Sequence, residues 1–160
     1  MKKHPLLIIF SIITIVFVHY GSFAEDLILN NTHTQTCFSP NGNCTKSIVS
    51  EIDRAKSEIL IQAYSFTSKE IAAAIVKAHK RGIHIETILD KSNKSAKYSA
   101  GDFTAHMGVI TYIDFKHAIA HNKIMIIDQA TVITGSFNFT QAAEKKNAEN
   151  LLILKNKELA

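Results

Sequence analysis

The sequence predicts an α/β protein with one mixed β-sheet flanked by helices. A strand-like run, a helix-like run and a second strand-like run follow one another over residues 58–89, and such a βαβ unit contains a parallel pair of strands. Two later strand-like runs, 121–127 and 131–134, are joined by a tight link, which makes the sheet mixed. The composition, with 46% hydrophobic and 20% charged residues, excludes disordered and fibrous classes, and 160 residues fit one domain.

The helices are predicted from apolar residues at helical spacing and from the residues at element ends. A first helix is expected from Thr45 onward, and a second covers Lys69–Arg81. Thr67 or Ser68 would cap the start of the second helix, and Gly82 would end it. Shorter helical segments are expected within 91–107 and at 138–145.

The strands are predicted from mostly apolar runs of strand length. These runs cover residues 58–64, 83–89, 109–113, 121–127, 131–134 and 148–154. Residues 25–44 are polar and are expected to form a lead-in to a domain that covers residues 45–160.

The first 24 residues have the features of a secretory signal peptide. A basic start at Lys2 and Lys3 precedes an apolar run from Leu6 to Val18, and the small residues Ser22 and Ala24 follow. Cleavage is predicted after Ala24, with export to the periplasm or the medium. The alternative is an uncleaved membrane anchor, although the run is shorter than the roughly 20 residues that span a bilayer.

Export changes what the two cysteines are expected to do. Cys37 and Cys44 flank a turn-rich stretch, and in an oxidising compartment this spacing favours a local disulfide. The alternative is a pair of free thiols.

The first chemical motif is His121-x-Lys123-x4-Asp128. Because side chains alternate along a strand, His121 and Lys123 are expected to point into the same cleft. Asp128 would face away from them by the same parity. We therefore include Asp128 with the motif but favour a structural role for it.

Two further groups follow the motif closely. Ser136 and Asn138, in Gly-Ser-Phe-Asn, come straight after a predicted strand and can donate hydrogen bonds to an anionic oxygen. Glu149 lies at the start of the last predicted strand and could fix the tautomer of a histidine.

Together these motifs resemble the signature of the phospholipase D superfamily. The string over residues 135–150 is similar to the single-motif, Nuc-type bacterial endonucleases, and the resemblance extends over residues 37–159. It implies the phospholipase D/nuclease fold and the hydrolysis of phosphodiesters through a phosphohistidine on His121. The phosphate oxygens would be held by Lys123, Ser136 and Asn138. Glu149 would accept a hydrogen bond from Nδ1 of the histidine.

The resemblance also implies an enzyme without a metal or another cofactor. His117 and His121 are four residues apart, as zinc ligands are on a helix, but they lead into a predicted strand and lack the glutamate of His-Glu-x-x-His. A metal at this pair remains the weaker alternative.

The chain carries one copy of the motif, whereas larger members of the superfamily carry two. The resemblance therefore implies a homodimer in which two copies of His121 face each other across a two-fold axis, one as nucleophile and one as general acid. It also implies a further helix after the last strand, of which residues 157–160 would be the beginning.

The expected substrate is nucleic acid, DNA or RNA, cleaved with little sequence preference. Three closely spaced lysines could line a groove for its phosphates: Lys91, Lys94 and Lys97. The alternative is a phospholipase D that releases phosphatidic acid from phospholipids. An inactive nucleic-acid-binding module is the third class, and the intact motif argues against it.

Overall fold

A computed structural model of the chain describes residues 26–94 and 99–160, except for the side chain of Lys94. It contains one seven-stranded sheet with the strand order β1-β7-β6-β5-β2-β3-β4. The strands are β1 His33–Ser39, β2 Glu58–Ala63, β3 His84–Asp90, β4 Ile110–Asp114, β5 Lys123–Ile127, β6 Thr131–Gly135 and β7 Glu149–Lys155.

The sheet is mixed, as predicted. Strands β2, β3 and β4 are parallel, whereas β5 is antiparallel to both β2 and β6. Strand β7 pairs antiparallel with β6 and with β1. As a result, one edge of the sheet contains the carboxyl ends of β2, β3, β4 and β6 together with the amino ends of β5 and β7.

Within the described residues, four helices and one 3-10 segment connect these strands. They are α1 Cys44–Arg54, α2 Lys69–Lys80, the 3-10 segment Lys91–Lys94, α3 Ala100–His106 and α4 Gln141–Lys145. Helix α2 begins as predicted, because the Ser68 side chain accepts a hydrogen bond from the N–H of Ile71. It ends before Gly82, whose φ of 88° is in the left-handed region that glycine tolerates.

The hydrophobic core lies between the sheet and the first three helices. In β2, Ile59, Ile61 and Ala63 are buried and alternate with half-buried residues, as expected for a strand with one face on the core. Helix α1 packs on α2, and α2 packs on α3, so these helices cover the same face of the sheet.

Two predictions about local structure were wrong. The lead-in at 25–44 contains β1, which pairs with β7 at the edge of the sheet. Asn138 lies before helix α4, because the backbone at Phe139 bridges to Phe66 and accepts hydrogen bonds from the N–H groups of Thr67 and Ser68. Residues 157–159 form a turn after β7, in which the N–H groups of Glu158 and Leu159 donate to Asn156 Oδ1, and the further helix stays a prediction.

Cys37 in β1 and Cys44 at the start of α1 are joined by a disulfide, with their Cα atoms 5.7 Å apart. The predicted signal peptide, residues 1–24, lies outside the described residues. Over 26–94 and 99–160, the helices are all too short or too polar to cross a bilayer.

Candidate active site

The central pair of the site is His121 and Lys123. His121 is exposed just before β5, and Lys123, the first residue of β5, is only 7% exposed. Lys123 Nζ lies 2.9 Å from Nδ1 of His121 and donates a hydrogen bond of 2.6 Å to the carbonyl oxygen of His121. The two side chains therefore meet on one side of the chain, as the strand parity predicted.

The charge on Lys123 is affected by two opposing influences. Burial of the ammonium lowers its pKa below the usual value of 10.5, and the nearby carboxylate of Glu149 partly offsets this effect. A lysine in such a position loses little further hydration when a phosphate arrives. It is therefore prepared to pair with an anionic oxygen.

Tyr64 forms one wall of the site, and no pattern in the sequence assigns it a role. It follows β2 directly, and its N–H donates to the carbonyl oxygen of Asn122. Its ring lies 4.4 Å from the His121 ring, centroid to centroid, and 5.1 Å from Lys123 Nζ. Tyr64 thus restricts the imidazole through its ring and fixes the adjacent backbone through its amide.

A buried acid at the end of β3 holds the segment that leads into the motif. Asp90 Oδ2 accepts a 2.8 Å hydrogen bond from the N–H of Ala120, and Oδ1 accepts one from the N–H of Ser92. Hydrogen bonds from the side chain and backbone of Ser92, and from the backbone of Ala120, lower the pKa of Asp90 to about 2. The side-chain amide of Asn93 donates to the carbonyl oxygens of Tyr64 and Asp90. The signal in the sequence was an acid directly after the predicted strand 83–89.

Ser136 is held against the start of β7. Its Oγ accepts a hydrogen bond from the N–H of Asn150 at 3.0 Å, and its own N–H donates to the carbonyl oxygen of Asn150 at 3.1 Å. This close approach requires glycine at the preceding position. A Cβ on Gly135, where φ is 144°, would come within 2.3 Å of the same carbonyl oxygen. The backbone geometry therefore requires Gly135, in addition to any chemical role of the Ser136 hydroxyl.

Asn138 carries a polar atom that lacks a partner. Its Oδ1 is buried and makes no hydrogen bond within residues 26–94 and 99–160. Buried polar atoms are rarely left in this state. A flip of the amide would exchange Oδ1 for the donor Nδ2.

Glu149 is at the expected edge of the sheet, but its predicted hydrogen bond to His121 is not formed among the described residues. Glu149 Oε1 instead accepts from the side chain of Asn147 at 3.1 Å. The position at Nδ1 of His121 is taken by Lys123 Nζ. The carboxylate is still close enough to Lys123 to act on its charge.

Asp128 lies at the opposite end of β5 from Lys123, about 16 Å away for five residues of strand. Its carboxylate accepts hydrogen bonds from the backbone N–H groups of Lys56, Ser57 and Glu58 and from the Ser57 hydroxyl. Among the described residues these contacts join Asp128 to residues 56–58 at the start of β2, and a direct catalytic role for it stays a prediction. The structural role favoured for it agrees with these contacts.

Of the three lysines predicted to line a groove for the substrate, one can be placed relative to the site. Lys91 donates to the carbonyl oxygen of His117 at 3.2 Å, four residues before His121. The Lys94 side chain and the whole of Lys97 lie outside the described part of the chain. The described residues hold no group of three or more His, Cys, Asp or Glu side chains that could bind a metal. His117 pairs instead with Asp114 at 2.7 Å.

An exposed imidazole beside a buried ammonium, with hydroxyl and amide groups at the same sheet edge, suits nucleophilic attack on a phosphodiester. Comparisons with known proteins point to the same class. Residues 48–160 match the family described as "Cardiolipin synthase, PLD-like domain". The phospholipase D of Rickettsia felis is 44% identical over 132 residues, which is 82% of this chain and 66% of that protein.

Solved structures that share the fold include two bacterial proteins. The phospholipase D family member Nuc from Salmonella typhimurium aligns with a TM-score of 0.77 and 39% identity, covering 81% of this chain and 87% of Nuc. NucT from Helicobacter pylori aligns with a TM-score of 0.72 and 27% identity, covering 81% and 89%.

The chain belongs to the phospholipase D superfamily of phosphodiesterases. Within it, the single His-x-Lys-x4-Asp motif and the likeness to Nuc define a Nuc-type member. The chain spans about two thirds of the length of the Rickettsia relatives that it matches.

Proposed function

We propose that this protein is a phospholipase D that hydrolyses phospholipids to phosphatidic acid, through His121 and without a metal. The observation that carries the chemistry is the contact between the exposed His121 ring and the buried Lys123 ammonium. The choice of lipid over nucleic acid, which reverses the expectation from the sequence, is supported by the Rickettsia relatives at 40–44% identity, each named phospholipase D.

The reaction proceeds in two displacements. Nε2 of His121 attacks the phosphorus, a P–N bond forms, and the P–O bond to the head group breaks while the leaving oxygen takes up a proton. Water then attacks the phosphorus, the P–N bond breaks, and a proton passes from the water to the group that acted as acid. The products are the head-group alcohol and phosphatidic acid, and the histidine is restored.

The resting contact at Nδ1 has a consequence for the first step. While the ammonium of Lys123 donates to Nδ1, the proton of a neutral ring must be on Nε2, and that tautomer cannot attack through Nε2. A substrate phosphate would draw Lys123 Nζ onto its own oxygens. Nδ1–H would then be available to Glu149, whose carboxylate already acts on Lys123. In this mechanism, substrate binding itself selects the nucleophilic tautomer.

The phosphate oxygens would be held by Lys123, Ser136 and Asn138. Lys123 supplies the charge, and the Ser136 hydroxyl can donate because its oxygen already accepts a bond from the Asn150 N–H. For Asn138, a flipped amide would place a donor where the structure has a buried oxygen without a partner. Such donors stabilise the charge that develops on the five-coordinate phosphorus.

The general acid would be His121 of a second copy, so the active unit is a homodimer. This proposal is supported by the single motif in the chain and by the position of the second nearby histidine. His117 is engaged by the Asp114 carboxylate on the exposed approach to His121. An isologous pairing of two sheet edges would bring two imidazoles to one phosphate.

We also propose that the protein works outside the cytoplasm. The charged and apolar start of the sequence and the Cys37–Cys44 disulfide support export, because such bonds persist in oxidising compartments.

Nucleic acid remains the second candidate substrate, favoured by the position of Lys91 close to the site and by the likeness to Nuc. One purified preparation, kept in a chelator, should be tested on phosphatidylcholine vesicles and on plasmid DNA. Release of phosphatidic acid with intact plasmid supports the proposal. Nicked plasmid without phosphatidic acid would assign the same chemistry to nucleic acid.

A further inference from the structure

The loop of residues 115–120 connects β4 to His121 and exposes apolar side chains next to the site. Phe115 is 62% exposed and Ile119 is 60% exposed, whereas the next residue, Ala120, is buried. Ile119 is two residues before the proposed nucleophile. Phe115 and Ile119 belong to one six-residue loop, and exposed apolar side chains that cluster mark interaction surfaces.

The 115–120 loop is fixed at both ends by buried or half-buried acids. Asp114 accepts hydrogen bonds from the N–H groups of Lys116 and His117, at 2.8 and 3.1 Å, and from the His117 ring. At the other end, Asp90 accepts from the N–H of Ala120 at 2.8 Å. The backbone therefore holds Phe115 and Ile119 outward by specific hydrogen bonds.

The exposed charges around these apolar groups are basic, because the side chain of Asp114 is only 10% exposed and Asp90 is buried. Lys116 is exposed in the loop, and Lys91 is exposed beside it, bonded to the His117 carbonyl oxygen. Residues 115–120 include no acid, and both carboxylates that hold the loop are occupied by its own N–H groups. A surface with apolar tips and a basic rim complements an anionic lipid surface.

We propose that the 115–120 loop docks this enzyme on phospholipid bilayers. Phe115 and Ile119 enter the boundary between head groups and acyl chains, and Lys91 and Lys116 contact lipid phosphates. Docking at this point would bring the phosphate layer to His121 without removing a lipid from the bilayer. The inference rests on the proposed phospholipase D function for its biological meaning, but bilayer binding can be measured without turnover.

The first test compares two double variants. Phe115→Ser with Ile119→Ser removes both apolar tips. Phe103→Ser with Ile110→Ser is the matched control, because Phe103 on α3 and Ile110 at the start of β4 are also exposed, at 48% and 43%, but lie outside the loop. Sedimentation with vesicles that contain phosphatidylglycerol measures binding. Hydrolysis of soluble bis(p-nitrophenyl) phosphate measures the chemical step.

The loop variant should lose at least about tenfold in vesicle binding, because two large apolar groups no longer leave water, and should hydrolyse the soluble diester like the wild type. The control should match the wild type in both assays. Equal vesicle binding by the loop variant and the wild type would overturn the inference. So would a joint loss of dimer and soluble activity, which would make the loop an interface between copies.

A second measurement does not depend on a destabilising change. The chain has no tryptophan, so Phe115→Trp and the control Phe103→Trp each give one fluorescent reporter. Vesicles should shift the emission of Trp at position 115 to the blue, and brominated lipids should quench it, whereas position 103 should not respond. No response at position 115 would overturn the inference. Loop-dependent binding without phosphatidic acid release would uphold the docking surface and contradict the proposed lipid hydrolysis.

Discussion

The third residue of the motif, Asp128, should stabilise the fold and contribute little to catalysis directly. Its carboxylate accepts bonds from three backbone N–H groups and one hydroxyl in residues 56–58, and its own φ is 54°. Asp128→Ala removes all of these bonds and places alanine in the left-handed region. Asp128→Asn tolerates that φ and keeps one acceptor oxygen, but it loses the charge.

The two substitutions should therefore lower the free energy of unfolding by different amounts. Hydrogen bonds to charged groups contribute about 1.5–3 kcal/mol, and we take the low end because water reaches this surface turn. Asp128→Asn should cost about 1 kcal/mol. Asp128→Ala should cost about 3 kcal/mol, including about 1 kcal/mol for the left-handed backbone. With a shift in Tm of about 4 °C for each kcal/mol, Tm should fall by about 4 °C in Asp128→Asn and by about 12 °C in Asp128→Ala.

The effect of pH on Asp128 has a definite sign. Burial raises the pKa of this carboxyl, but hydrogen bonds from Ser57, Lys56 and Glu58 outweigh burial and lower the pKa below 3.8. A lowered pKa in the folded state stabilises the fold above the unfolded pKa of about 3.9. The difference in the free energy of unfolding between wild type and Asp128→Asn should thus be constant near neutrality. It should shrink as the pH falls below about 4.

The assay is thermal unfolding followed by circular dichroism, with kcat/KM measured at a temperature where each variant is folded. Asp53→Ala is the matched control. It removes an exposed aspartate that pairs with Lys77 at 3.1 Å, and it should change stability by less than about 1 kcal/mol. If Asp128→Asn kept the wild-type Tm but lost more than about a hundredfold in kcat/KM, about 2.7 kcal/mol of transition-state stabilisation, our reasoning would be refuted.

Three further predictions concern the chemistry. His121→Ala should leave the circular dichroism spectrum unchanged and reduce turnover below about 1% of wild type, because the exposed ring contributes chemistry and little packing. Activity should survive excess EDTA in a phosphatidic acid assay, and a loss restored by zinc or magnesium would revive a metal at His117 and His121. Activity should rise and then fall with pH, because one proton is shared by two copies of His121. Mixing wild type with His121→Ala should test the same pairing, since activity should fall as the square of the wild-type fraction. A linear dependence on that fraction would mean that each chain holds a complete site.

Local patterns were sufficient for the central part of the fold. The apolar runs around 58–89 predicted the β2-α2-β3 unit, and Ser68 and Gly82 marked the ends of α2. The period of two along a strand placed His121 and Lys123 on one side, and the contact at 2.9 Å agrees. These features depend on residues near one another in the sequence, which is why they can be predicted from it.

Features that depend on distant residues could not be predicted in this way. Strand β1 is polar and mostly exposed, and it is a strand because it pairs with β7 more than a hundred residues later. The support from Tyr64 and Asp90 arises because the ends of β2 and β3 meet the start of β5. Lys123 in place of Glu149 at Nδ1 depends on how β5 and β7 are placed within the sheet, which local patterns do not determine.

The central claim is that His121 becomes covalently bonded to the substrate phosphorus. The most direct measurement is mass spectrometry of the enzyme mixed with phosphatidylcholine, stopped in alkali within the first turnovers and digested with protease. We expect a phosphatidyl group on the peptide that contains His121 in the wild type, and none in His121→Ala. Active turnover with no adduct on any peptide, or an adduct on another residue, would contradict it.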